Sequence, residues 1–157
     1  MKILARCAVV GLLSLALSAC TKTPPPAANP PAKHEHHAPH GGTAVVLGNE
    51  SCHLELVLDA PAGRLTAYVL DGELENFIRV KAPAFEVVAT IGGEKRPLTF
   101  RATGNPATGE TAGDTAQFEA QADWLKTTPA FDAVLSSLAV RGTTFTAVGF
   151  NFPKGND

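Results

Sequence analysis

The chain from Thr43 onward consists of short segments in which apolar and polar residues alternate, with turn residues between them. The clearest segment is "SCHLELVLD". Its apolar face holds Cys52, Leu54, Leu56 and Leu58, and its other face holds His53, Glu55, Val57 and Asp59. A period of two residues is typical of a β-strand with one buried face. We therefore expect the apolar face to lie in a core, with Glu55 and Asp59 exposed to solvent.

The other segments extend this pattern into antiparallel hairpins. "RLTAYVLD" follows the turn "APAG", "AFEVVATI" and "RPLTFRA" flank "GGEK", and "SLAV" and "TTFTAVGFNF" flank "RG". "TAQFEAQ" adds another strand, whereas "DWLKTTPAFDAVLSSL" resembles a helix that Pro129 interrupts. About eight short strands predict an all-β fold: a single antiparallel β-sandwich, immunoglobulin-like or similar, over residues 43–157. A signal peptide and a disordered linker are expected to precede it.

The N-terminus has the pattern of a secretory signal peptide. Lys2 and Arg6 form a basic head, and the apolar run behind them is shorter than the roughly 20 residues that cross a bilayer as a helix. The end of this segment, Leu17-Ser18-Ala19-Cys20, resembles the lipobox of bacterial lipoproteins. That resemblance implies removal of residues 1–19 and acylation of Cys20. Several acyl chains hold a protein firmly to a membrane.

Residues 20–42 are predicted to be a lipidated tether rich in proline and histidine. Five prolines within residues 21–33 favour an extended, semi-rigid spacer. In the lipoprotein family an Asp after the acylated cysteine retains the protein at the inner membrane. Thr21 stands there in this chain, which favours the periplasmic face of the outer membrane.

Charge and motif content exclude several classes of function. The formal net charge is −2, and it becomes more negative once residues 1–19 are removed, so nucleic acid is not an expected partner. No Ser/His/Asp set or phosphate-binding glycine loop can be nominated, and we expect no enzyme activity. Cys52 would be the only cysteine besides the anchor Cys20, which leaves the domain without a disulfide.

The histidines form the motif that carries chemistry. Four of the five lie within residues 34–40, and the fifth follows on the first long strand. Imidazole is a ligand for Zn²⁺, Cu²⁺ and Ni²⁺, and His-rich tracts are typical of metal binding. If glycines 41 and 42 let the tract fold back, His40 and His53 can share an ion, with Glu55 as a ligand or as an acceptor behind a ligand. The predicted metal ligands are His34, His36, His37, His40, His53 and Glu55.

Two simpler interpretations stand beside the metal hypothesis. The tract is also compatible with a solvated tether, because imidazole is polar and the composition is typical of disorder. A lone strand histidine such as His53 is more often a residue whose ring makes a structural hydrogen bond than a metal ligand. Cys52, on the apolar face, is expected to be a buried small hydrophobe. Tyr68 and Trp124 are expected to be packing residues.

Residues 39–80 also resemble a segment of bacterial periplasmic proteins. The pattern is His-Gly-Gly, a short strand, "HLEL", a turn and a "YVLD"-like strand, and it recurs in periplasmic adaptor subunits of heavy-metal efflux systems. The matching residues in this chain are His40, Gly41, Gly42, His53, Glu55, Tyr68 and Asp71. The resemblance implies a role in divalent-metal handling and a metal-efflux component as partner. The chain lacks the coiled-coil hairpin and lipoyl-like halves of those adaptors.

Together these features predict a lipid-anchored periplasmic protein that binds or buffers a transition-metal ion. The tract and a strand histidine would hold Zn²⁺, Cu²⁺ or Ni²⁺, and a covalent lipid on Cys20 would hold the protein at the membrane. The alternative is a metal-free structural or interaction lipoprotein whose sheet docks a membrane or envelope partner.

Overall fold

The computed structural model describes residues 37–156. The predicted signal peptide, Cys20, most of the tether, His34 and His36 lie outside the described residues. Eight strands and one 3₁₀ helix follow in chain order: β1 (Thr43–Leu47), β2 (Cys52–Asp59), β3 (Arg64–Asp71), β4 (Ala84–Ile91), β5 (Glu94–Ala102), β6 (Gln117–Gln121), the 3₁₀ helix (Asp123–Lys126), β7 (Phe131–Val140) and β8 (Thr143–Phe152).

All neighbouring strands are antiparallel, and the prediction of an all-β antiparallel domain is confirmed. The order in the sheet is β1-β2-β3-β6-β5-β4-β7-β8, so the strands form one continuous, nearly closed sheet around a single core. Its edges meet through the C-terminal turn. The amide of Asn156 bonds both the N–H and the C=O of Val46 in β1, at 2.8 and 3.1 Å.

Hairpin chemistry explains most of the chain order. The two-residue turns Gly92-Gly93 and Arg141-Gly142 have positive φ at both positions. This backbone matches the twist of the flanking strands, and glycine adopts it at little cost. Two longer connections carry the chain past intervening strands. Residues 72–83 lead from β3 to β4 past β6 and β5, and residues 122–130 lead from β6 to β7 past β5 and β4. The first of these connections pairs with the end of β3, since Leu70 forms a β-bridge with Phe77 and the N–H of Ile78 donates to the carbonyl of Val69.

The core lies on the inner face and draws on every strand. Among the described residues, its members run from Val45 to Phe152. In β2, Cys52, Leu54 and Leu56 are buried as predicted, and Leu58 is half-buried. The prediction of a helix over "DWLKTTPAFDAVLSSL" is wrong beyond its first turn. The helix ends at Lys126, and burial alternates from Phe131 because that segment is strand β7.

Candidate functional site

The candidate site is built on the outer face of three adjacent strands. Strand register places Glu55 of β2 opposite Tyr68 of β3, and Tyr68 opposite Gln117 of β6. These three side chains therefore form a row on one face, since residues paired across antiparallel strands point to the same side. The segment before β1 lies over the β2 end of this row.

That segment is fixed by hydrogen bonds to Glu55. The backbone N–H groups of His40 and Gly42 both donate to Oε1 of Glu55, at 2.7 and 3.0 Å. The ring Nδ1 of His40 lies 2.8 Å from Oε2. A carboxylate buried without such donors would be costly, because burial removes its water. Glu55 is 0 % exposed, so the prediction that it faces solvent is wrong. The chain folds back over the outer face and covers it.

The two glycines of the motif allow this approach. A turn closed by the Gly41 N–H and the Ala38 carbonyl precedes the contact, and Gly41 has a φ of +67°. A Cβ on Gly42 would lie 2.5 Å from the carbonyl oxygen of Leu56 and 2.9 Å from Cγ of Glu55. Glycine is required at residue 42 because any larger side chain would push residues 40–42, which we call the arm, away from β2.

We expect Gly42→Ala to lower the free energy of unfolding by about 1–3 kcal/mol, the usual cost of overpacking. The reason is the clash with the backbone of Leu56, which cannot move without disturbing the sheet. Chemical denaturation measures the change. Gly113→Ala is the matched control, since a Cβ there meets nothing within 4 Å. A Gly42→Ala protein as stable as this control would contradict the packing argument.

The ring of His40 is held in one orientation. It stacks on Tyr68 with ring centroids 4.0 Å apart and an angle of 14° between planes. Because the Glu55 carboxylate accepts, Nδ1 of His40 carries the donated proton, and Nε2 of the neutral ring keeps its lone pair. The side chain is 37 % exposed. Metal-bound imidazoles almost always donate their other ring N–H to a carboxylate, a backbone carbonyl or water.

His53 has a different environment. It is 1 % exposed, and its Nδ1 lies 3.1 Å from the carbonyl oxygen of Asp71, across the β2–β3 hairpin. Of the described residues, no three His, Cys, Asp or Glu side chains come together as a group that could hold a metal ion. The structure therefore brings His40 and Glu55 together, but it does not join His53 to them as a ligand set. His37 is exposed.

Asp71 organises the connection that follows β3. Its side-chain hydrogen bond with Asn76 lowers the pKa of the Asp71 carboxyl; burial works in the opposite direction, and backbone N–H groups, including those of Glu75 and Asn76, add to the lowering. Phe77 follows directly in this ordered connection. Its ring is 51 % exposed and lies beside the rings of His40 and Tyr68.

A surface cavity of about 390 Å³ adjoins these rings. The rest of its lining is mostly polar and comes from Arg79 and from Asn105, Thr108, Glu110, Ala116 and Gln117. Arg79 binds the carbonyl oxygens of Thr108 and Gly109 and lies 3.9 Å from Glu110. Burial alone would raise the pKa of Glu110, but hydrogen bonds from Thr108 and Ala116 and the charge of Arg79 together lower it.

The sequence patterns did not predict the residues that surround the predicted ligands. Tyr68 was expected only to pack, yet it stacks on His40. Phe77 and Arg79 lie within the resembling segment, residues 39–80, but were not among its matching residues, and Glu110 stood in a loop that gave no motif. The resemblance named Tyr68 and Asp71 without assigning them a role, and each of them contacts one of the matching histidines. Cys52 is buried as predicted, and burial raises its thiol pKa to about 11, against the opposing charge of Arg141.

Comparison with protein-family models, curated proteins and solved structures finds no match to this chain. Within residues 37–156, no helix is both long and apolar enough to cross a bilayer.

Proposed function

We propose that this protein binds a divalent transition-metal ion at the bacterial envelope, through His40 and the histidines that precede it. The observation that carries the proposal is the hydrogen bond between Nδ1 of His40 and the buried Glu55. It fixes the tautomer and orientation of an exposed imidazole, as outer carboxylates do at metal sites. Both backbone N–H groups donate to Oε1, so the ring also satisfies Oε2 of the buried carboxylate. Unlike a hydroxyl or amide donor in that place, a neutral imidazole keeps a second nitrogen whose lone pair can bind a metal ion.

The remaining ligands in this proposal come from the tract. His37 is three residues before His40, and His34 and His36 precede it. Ligands close in sequence reduce the ordering cost of closing a chelate around one ion. Imidazoles suit Zn²⁺, Cu²⁺ or Ni²⁺, whereas Ca²⁺ and Mg²⁺ prefer oxygen ligands alone. Glu55 takes the role of acceptor behind His40, since both its oxygens are engaged. His53 is left out of the ligand set.

Calorimetric titration of the protein expressed from Thr21 onward, with each of the three metals, tests the proposal. One tight site is expected in the parent protein. His40→Ala should weaken it by more than the roughly 10- to 100-fold that is typical of a lost outer partner. Deletion of residues 34–37 should also weaken it, and His53→Ala should leave the affinity of the folded protein unchanged.

Three results would decide otherwise. If none of the metals binds, the metal function is excluded, and the metal-free interaction lipoprotein becomes the better hypothesis. If the deletion abolishes binding and His40→Ala has no effect, the tract is a loose chelator on its own. If His53→Ala weakens the site as much as His40→Ala, the shared His40–His53 centre is right and our ligand set is wrong.

The lipid anchor is a separate part of the proposal. We expect Cys20→Ser to abolish acylation in the producing bacterium, because the hydroxyl replaces the thiol that carries the lipid. Membrane fractionation and mass spectrometry of the mature protein measure this, with Cys52→Ser as the matched control that keeps the anchor. A processed Cys20→Ser protein that still sediments with membranes would exclude the lipoprotein assignment.

A further inference from the structure

The cavity beside His40 has an aromatic wall that the metal proposal does not use. The rings of Tyr68 and Phe77 have centroids 6.0 Å apart and planes inclined at 59°, and His40 and Phe77 are 5.8 Å apart at 48°. All three rings line the same cavity, where they form an aromatic corner. The negative face of an aromatic quadrupole attracts cations placed over it.

Phe77 is unusual among the apolar residues. With Val134 it is one of two large hydrophobic side chains exposed among the described residues. Its position is nevertheless fixed. The Asp71 carboxylate accepts from the backbone N–H groups of Glu75 and Asn76 and from the Asn76 side chain, and Phe77 itself pairs with Leu70 through a β-bridge. An aromatic ring held rigidly at the mouth of a cavity loses little entropy when a ligand binds against it.

The charges around the cavity favour a cation over an anion. Glu110 lines it, and Asp114 lies 3.7 Å from Arg79, so that two carboxylates share the guanidinium group. Arg79 also donates to two backbone carbonyls and is engaged on that side. Burial first, and then the negative charges of Glu55 and Glu119, raise the pKa of Tyr68 against the opposing charge of Arg64.

We infer that the corner of Tyr68, Phe77 and His40 binds an organic cation of the quaternary ammonium class. Such a group has a hydrophobic methyl surface that suits aromatic faces, and its diffuse charge needs no hydrogen-bond acceptor. The cavity is open, so the rest of the ligand can extend past Asn105 and Gln117, whose amides can bind a hydroxyl or ester oxygen. This binding requires no metal ion.

The test is an NMR titration of the metal-free protein, expressed from Thr21 and treated with chelator, with choline and with 3,3-dimethylbutan-1-ol. These probes differ by one atom, nitrogen against carbon, and therefore by the charge. We expect choline to shift resonances of Phe77 and Tyr68 and to bind at least about tenfold more tightly than its neutral analogue, consistent with cation–π energies. Equal affinities, or no binding of choline, would overturn the inference.

Variants at Phe77 separate the contribution of the aromatic ring to choline binding from that of its apolar surface. Phe77→Ala and Phe77→Leu should both weaken choline binding by about tenfold or more, because leucine keeps bulk but has no quadrupole. Val134→Ala, at the other exposed hydrophobic, should have no effect. Full binding by Phe77→Leu would refute a cation–π site. Vesicles of phosphatidylcholine compared with phosphatidylglycerol identify the source: binding to the first alone indicates a lipid headgroup, and binding only of soluble choline indicates a free ligand.

Discussion

Replacing Leu56 by alanine is expected to lower the free energy of unfolding by about 2–5 kcal/mol, the range for a buried leucine. Leu56 is 1 % exposed and sits in the middle of β2, paired with Thr43 of β1 and Ala67 of β3. Three antiparallel strands hold its backbone in place, so the cavity left by alanine cannot collapse easily. Urea denaturation followed by fluorescence of Trp124, which packs on the buried Phe131, measures the change.

Leu58→Ala provides the matched comparison for this prediction. Leu58 has the same side chain on the same face of β2, but it is half-buried at the end of the strand. Its truncation should cost clearly less, since it loses less buried area and leaves a site that solvent reaches. If Leu56→Ala costs no more than Leu58→Ala, the assignment of Leu56 to the core centre is wrong.

The strands could be predicted because alternation is a local property. A segment such as "CHLELVLD" or "AFEVVATI" carries its two faces in its own sequence, and the glycine turns between hairpins mark where each strand ends. The error over residues 123–140 has the same origin. The apolar spacing in "FDAVLSSL" fits a helix nearly as well as a strand. Only the pairing with β4 and β8 shows that this segment is a strand, β7.

The burial of Glu55 could not be predicted from the alternation of polar and apolar residues. Alternation shows that the two faces of β2 differ, but it does not show whether another part of the chain covers the polar face. Here residues 40–42 cover it, and the carboxylate is satisfied by donors fifteen and thirteen residues earlier in the chain. The sequence of a buried polar face cannot be distinguished from that of a solvated face, because both carry polar side chains.

The site was predictable only as far as its local motif. The glycines suggested that the tract folds back, and His40 does reach the strand with Glu55. Nδ1 of His53 contacts the carbonyl oxygen of Asp71, a backbone atom that no side-chain motif can reveal. Phe77 and Arg79 reach the cavity on the connection that crosses the sheet, so their placement depends on strand order, which short-range patterns do not encode.

Glu55→Gln is expected to weaken metal binding by about 10- to 100-fold while leaving the domain folded, the range for a lost outer partner. Glutamine keeps the shape of the side chain. If its carbonyl oxygen accepts the N–H groups of His40 and Gly42, its NH₂ group faces Nδ1 of the His40 ring, which must then accept. The neutral ring therefore places its proton on Nε2, the nitrogen that our proposal assigns to the metal. Calorimetric titration measures the affinity.

Two further measurements separate this effect from general destabilisation. Ring ¹⁵N chemical shifts of His40 in the metal-free protein should place the proton on Nδ1 in the parent and on Nε2 in Glu55→Gln, a change that mere loosening of the arm does not produce. Glu119→Gln removes a carboxylate from β6, which β3 separates from β2, and should keep the parent's affinity and tautomer. An unchanged metal affinity in a Glu55→Gln protein whose tautomer has switched would show that Nε2 of His40 does not bind the ion, because a protonated nitrogen has no lone pair to donate.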